Sequence, residues 1–184
     1  MIEIKVTDKI RQLANNHTKE RIKYEYDRFK LSLDKRKSMI LIGSLGQIMF
    51  KHILDNQKIN YEFQFQAGNY DLYDFKINND IIEIKTSGYN NYFNNLNLLY
   101  ANDQYIQGIS KNYSYCVQQF LNGHDISSKL LDINKCSVCS CIGFIEYKEI
   151  KNYPNVRKYL GDDYKVPLSK LKPIELLLNK YVKL

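Results

Sequence analysis

Apolar and polar residues alternate most regularly between Lys58 and Ser87, and the alternation predicts three strands in succession. In KINYEFQFQ, residues 58–66, Ile59, Tyr61, Phe63 and Phe65 take every second position, the period of a strand with one buried face. Ala67 and Gly68 then turn the chain. In Tyr73-Asp74-Phe75-Lys76-Ile77, Phe75 and Ile77 share one face and Asp74 and Lys76 the other. A polar turn, Asn78-Asn79-Asp80, leads to a strand with Ile82 and Ile84 on one side and Glu83 and Lys85 on the other. Two opposite charges therefore stand side by side on a strand that otherwise looks buried. Whether Asp74 joins them depends on register. A two-residue turn at Asn79-Asp80, or a four-residue loop over 78–81, sets Lys76 opposite Glu83 and Asp74 opposite Lys85. A three-residue loop turns Asp74 to the wrong face.

The rest of the chain carries weaker periodicity. Residues 38–55, SMILIGSLGQIMFKHILD, predict a helix with Ile42, Leu45, Met49 and Ile53 inward and with Gly43 and Gly46 open to a close neighbour. Gln47 lies on that helix one turn from Gly43 and can point toward the polar cluster, whereas His52 reads as a surface or packing residue. Residues 1–34 read as largely helical, with Ile22, Tyr26, Phe29 and Leu33 as a narrow stripe. A helix is expected around 96–109, strands over 113–121 and 136–147, and a short amphipathic helix over 174–182. The domain reading is a basic helical segment, 1–37, joined to a core with a helical tail, 38–184, as one domain overall.

Lysine and arginine number 27 against 20 acids, a net charge of +7. The excess favours a polyanionic partner, nucleic acid first, although a chain rich in Ile, Asn, Lys and Tyr is also basic by composition alone. Lys35, Arg36 and Lys37 are candidate phosphate contacts, and the alternative is a solvated helix face. No apolar run approaches the roughly 18 residues of a membrane span, and MIEIKVTDKIRQ has no signal-peptide core, so a cytoplasmic location and no membrane partner are expected. Of the four cysteines, Cys136, Cys139 and Cys141 suggest metal ligation, but only Cys116 remains to complete a zinc site. The favoured reading is buried, reduced cysteines with neither zinc nor an iron-sulfur cluster.

An Asp on one strand followed nine residues later by Glu-x-Lys on the next, with the EIKTSG ending and an upstream helix bearing Gly43-x-x-Gly46-Gln47, resembles the PD-(D/E)XK nuclease superfamily. The chain departs from that pattern in having Tyr73 before Asp74 and Gln47 where many relatives carry Glu. The resemblance implies an α/β (α+β) fold, restriction-endonuclease-like, with a central mixed sheet of about four or five strands flanked by helices and with the strand around Gly143-Phe144-Ile145 at its far edge. It also implies a Mg²⁺-dependent endodeoxyribonuclease, with Mn²⁺ as a substitute. Asp74, Glu83 and the Ile84 carbonyl would be metal ligands, and Lys85 and Gln47 would act beside them. Asp71 is an alternative ligand of opposite strand parity. Tyr89 and Tyr92, just beyond the motif, are candidates for stacking on bases. DNA is the expected partner, and a homodimer would supply two sites for two strands. The alternative is a nuclease-like fold that binds DNA without cutting it.

Overall fold

The computed structural model describes residues 1–24, 31–63, 73–88, 96–125, 130–158 and 161–182. Its strands are β1 (Ile2–Lys5), β2 (Glu62–Phe63), β3 (Phe75–Ile77), β4 (Asp80–Gly88), β5 (Asn97–Ala101), β6 (Tyr115–Leu121), β7 (His124–Asp125), β8 (Leu130–Leu131), β9 (Val138–Glu146), β10 (Asn155–Lys158), β11 (Gly161–Pro167) and β12 (Lys172–Pro173). Its helices are α1 (Asp8–Arg21), α2 (Leu33–Asn56), α3 (Asn102–Ser110) and α4 (Ile174–Asn179). The class is mixed α/β. A central sheet runs in the order β1-β9-β6-β4-β3-β2, with β12 also paired to β9. β2, β3 and β4 form an antiparallel meander, β4 and β6 are parallel, and β9 returns antiparallel to β6. Among the described residues, no helix is long and apolar enough to cross a membrane.

The sheet buries both faces. On one, Ile82 and Ile84 of β4 and Val117 of β6 pack with Phe50, Ile53 and Leu54 of α2 and with Ile174, Leu177 and Leu178 of α4. α1 extends this layer, setting Ile10 and Ala14 against Leu41, Leu45 and Ile48 of α2. On the other face Cys116 and Ile145 pack with Leu98, Tyr100, Tyr105, Tyr147 and Val166, side chains carried by a second sheet, β10-β11-β5, by α3 and by the turn after β9. A strand buried on both faces reads as near-continuous apolar sequence, which is why Tyr115–Leu121 carries so few exposed positions.

Several sequence expectations change. Residues 2–5 form an edge strand instead of helix, because Ile2 and Ile4 alternate with Glu3 and Lys5 along β9. α2 begins at Leu33, five residues before the expected start, so Lys35, Arg36 and Lys37 ride on its first turns and Leu33 is exposed. The strand carrying Gly143 is not the far edge: β1 covers one half of it and β12 the other, with the carbonyl of Lys172 close against Gly143. Residues 97–101 are strand and only 102–110 helix, since Leu98 and Tyr100 alternate inward before Gln104 begins the helical spacing. β10 and β11 pair with each other, and β11 also pairs with β5, long-range pairing that no local pattern announces. Tyr26 and Phe29 of the expected N-terminal stripe lie outside the described residues, as do residues 64–66 of the strand expected over 58–66, of whose described part only Glu62–Phe63 is strand.

The two glycines of α2 differ in role. A Cβ on Gly43 would meet nothing within 4 Å, whereas one on Gly46 would fall 1.7 Å from Thr86 Oγ1. α2 therefore crosses β4 at Gly46, and Gly46→Ala should cost about 1–3 kcal/mol by overpacking. Gly43→Ala should be neutral or stabilising by up to about 1 kcal/mol through helix propensity. Urea unfolding of both variants separates the two roles, and equal effects would show that the crossing is not at Gly46.

His17 of α1 is buried, with Nδ1 2.8 Å from Ser44 Oγ on α2. Burial, and then the nearby Arg21 charge, push its pKa down from 6.5 to about 4. The folded state thus holds His17 neutral where the unfolded chain would be protonated. Its contribution to stability is present above pH 6.5 and is lost as pH falls toward 4, at most about 3 kcal/mol. His17→Gln should flatten that interval of a stability profile measured by urea unfolding.

Candidate active site

The site forms where β3 leaves β4. Asn78 adopts a left-handed conformation (φ 54°) and, with Asn79, makes a two-residue turn, so that Ile77 faces Asp80, Lys76 faces Ile81 and Phe75 faces Ile82. Asparagine tolerates that backbone region better than other residues with a Cβ. The register is displaced by two residues from the one expected, so Lys76 does not face Glu83. A shift of two preserves parity, and continuing it by one step sets Asp74 beside Glu83.

Pairing between β3 and β4 ends at Phe75 and Ile82, so no strand residue is left to receive the amide of Ile84. The Asp74 carboxylate takes that place: Ile84 N donates to Asp74 Oδ2 at 2.6 Å. Within a strand, one residue's N–H and C=O point to the same edge, so the Ile84 carbonyl faces the same gap. The other Asp74 oxygen, Oδ1, accepts from Gln47 Nε2, an amide delivered by α2 where Gly46 lets the helix down onto Thr86. Asp74 is buried, and Glu83 and Lys85 are partly buried.

Glu83 and Lys85 project from the opposite face to α2. Lys85 Nζ lies 2.7 Å from Glu83 Oε1, 3.1 Å from Gln104 Oε1 on α3 and 4.6 Å from the ring centroid of Tyr100 on β5. Burial acts to lower the Lys85 pKa, but the Glu83 charge and hydrogen bond outweigh it, and the net shift is upward. Lys85 is therefore an ammonium. Burial, reinforced by the Glu83 charge, pushes Asp74 up to about 7 despite its two donors and the Lys85 charge. The charges of two carboxylates and one ammonium thus act on one another with little water to screen them.

The structure thus gathers Asp74, Glu83, Lys85, Gln47 and Ile84. Lys35 and Lys37 are exposed and Arg36 half-buried on the first turns of α2. From Lys35 to Gln47 is about 18 Å along the helix axis. Tyr89, Tyr92 and Asp71 lie outside the described residues. Asp80, read from sequence as a turn former, begins β4 and accepts from Lys180 and Tyr181, tying the end of the chain to the hairpin. The sequence offered Gln104 as a possible DNA contact from a weakly patterned helix and Tyr100 as one of 16 tyrosines; neither carried a signal linking it to Lys85.

The described cysteines are all buried and unbridged. Cys136, Cys139 and Cys141 pack on the α2 face and Cys116 on the other, so the sheet separates Cys116 from the three. Among the described residues, no three His, Cys, Asp or Glu side chains gather as a metal-binding group. The donor set at Asp74 is of a different kind: two carboxylates and a backbone carbonyl, all hard oxygens, as Mg²⁺ prefers. Asp74 is raised first by burial and then by the Glu83 charge, and a divalent cation at these oxygens would offset the second of these. No protein-family model matches the chain, and neither the curated proteins nor the solved structures give a match.

If Asp74 is placed for chemistry and not for stability, removing its charge should not weaken the fold. Asn at 74 can accept from Ile84 N–H and donate to Gln47 once that amide is flipped, so every polar atom stays paired. In EDTA at pH 8, Asp74→Asn should match or exceed the parent stability, by up to about 2 kcal/mol. A clear fall in the urea midpoint would mark Asp74 as a structural acceptor.

Proposed function

We propose that the chain is a metal-dependent endodeoxyribonuclease of the PD-(D/E)XK type, with a restriction-endonuclease-like sheet as its scaffold. The observation that carries this reading is the convergence of Asp74, Glu83 and Lys85 on the gap between β3 and β4. A buried carboxylate pair beside an ammonium costs stability and is simplest to understand as a site that handles phosphate. The mixed sheet flanked by helices is compatible with the scaffold that the sequence resemblance implies.

In this reading Asp74, Glu83 and the Ile84 carbonyl hold Mg²⁺, or Mn²⁺ in its place. The bound ion would polarise the scissile phosphate and lower the pKa of a coordinated water. Lys85, as an ammonium, orients the attacking water by donating to it and compensates negative charge growing on phosphorus. Gln47 donates to Asp74 Oδ1 and so fixes the carboxylate's rotation. The exposed Lys35 and Lys37 and the partly covered Arg36 contact backbone phosphates along α2, and Tyr89 and Tyr92 stack on bases. Cutting both strands of a duplex calls for two such sites, which a homodimer supplies.

One observation favours the second reading, a fold that binds DNA without cutting. Gln47 brings an amide where a carboxylate would add to the cation's ligands, leaving Asp74 and Glu83 as the site's acids. Supercoiled plasmid distinguishes the readings. The parent protein should nick or linearise it with Mg²⁺ or Mn²⁺ and not in EDTA, and Lys85→Ala should lower the rate by about a hundredfold or more. DNA binding with no cleavage under any metal would establish the second reading.

A further inference from the structure

Among the described residues, Lys85 Nζ makes an ion pair, a hydrogen bond and a ring contact, and the Asp74 charge also acts on it. The Glu83 contact joins two residues of a single strand, two positions apart. The other two, the Gln104 side-chain oxygen and the Tyr100 ring, come from α3 and β5, elements that belong to the layer across the sheet face. Resting on the nuclease reading above, we propose that Gln104 is a positioning residue for Lys85, holding its ammonium beside Asp74 and Glu83 by a contact that does not depend on the Glu83 carboxylate.

α3 is seated with unusual closeness for this task. A Cβ on Gly108 would fall 2.0 Å from the Tyr147 hydroxyl, so only glycine lets the helix settle onto that ring. Gly108 and Gln104 are four residues apart and share a helix face. The Tyr147 hydroxyl lies 3.0 Å from the Gln104 backbone carbonyl, to which it donates, and 3.0 Å from the Tyr100 hydroxyl. Tyr105 stacks on Tyr147 with 8° between the planes, and Tyr100 meets it edge-on at 89°. One aromatic cluster thus sets the height of both groups that reach Lys85.

The chemistry of those groups matters as much as their place. A carboxylate partner cancels the lysine's charge, whereas an amide oxygen and a ring face bind an ammonium while leaving its net charge intact. Once Glu83 serves a cation, Gln104 and Tyr100 are the neighbours left to orient Lys85. A cation held by neutral partners can still offset charge on a phosphate.

Two variants test this, Gln104→Met, which keeps the length and loses the acceptor, and Gln104→Glu, which keeps an acceptor and adds a charge. Each is measured for plasmid cleavage with Mg²⁺, for thermal stability in EDTA, and for the rate of Lys85 acetylation by acetic anhydride relative to Lys76 within the same molecule. The expected result for Gln104→Met is a kcat lower by on the order of tenfold, an unchanged KM for DNA, an unchanged melting temperature and Lys85 acetylation several-fold faster. Gln104→Glu should acetylate Lys85 more slowly than the parent, since the added carboxylate favours the protonated amine, and should still lose kcat, because position is retained and the net charge is not. Parent-like kcat and acetylation in Gln104→Met overturn the proposal alone. A parent protein that cleaves nothing removes the nuclease reading and this proposal with it.

Discussion

A single hydrogen bond shows how the sheet and the site depend on each other. Where β3 stops pairing with β4, the Ile84 amide would be left without an acceptor, and a buried unpaired amide costs on the order of 1–3 kcal/mol. Asp74 closes that gap from the side, with Oδ2 2.6 Å from Ile84 N. The carboxylate thereby continues the ladder as a side chain, and the strand is free to diverge. The divergence in turn opens the space into which the Ile84 carbonyl and the Glu83 and Lys85 side chains face. Had β3 continued two residues further in register, Tyr73 would have taken the amide and Asp74 would have been an ordinary strand residue.

Three layers converge on that opening, each held by packing remote from it. α2 approaches β4 closely because Gly46 presents no side chain to Thr86, and the next residue, Gln47, is thereby placed on Asp74. The hairpin is anchored at its turn by Lys180 and Tyr181, which reach back to Asp80. Across the sheet, the cluster of Tyr100, Tyr105 and Tyr147 fixes the layer that touches Lys85. The charged residues are thus positioned by apolar and aromatic contacts, whose rigidity comes from dense packing more than from the ionic contacts themselves.

The electrostatics at Asp74 run against stability. Burial and Glu83 raise Asp74 toward neutrality, while Glu83 keeps Lys85 charged although burial opposes it. Two acids and one ammonium thus act on one another at the edge of the sheet. In the proposed reading a divalent cation would supply further positive charge there, and a phosphate would be its ligand.

The sequence by itself determined the strand carrying Glu83 and Lys85 and the inward stripe of Leu45, Met49 and Ile53 on α2, because period-2 and period-3.6 patterns are local properties of the chain, while it left the side taken by Asp74 to the length of the turn. It also marked the glycine pair, although which glycine touches the sheet depended on how α2 crosses β4. Tertiary structure alone decided the two-residue displacement of the hairpin, the strand made by residues 2–5, the pairing of β11 with β5, and the placement of Tyr100 and Gln104 on Lys85. Each of these is a pairing between segments far apart in the chain or a choice between registers of equal parity. Local alternation is blind to both, since a shift of two residues leaves every side chain on its own face and a distant partner leaves no mark on its neighbour's spacing.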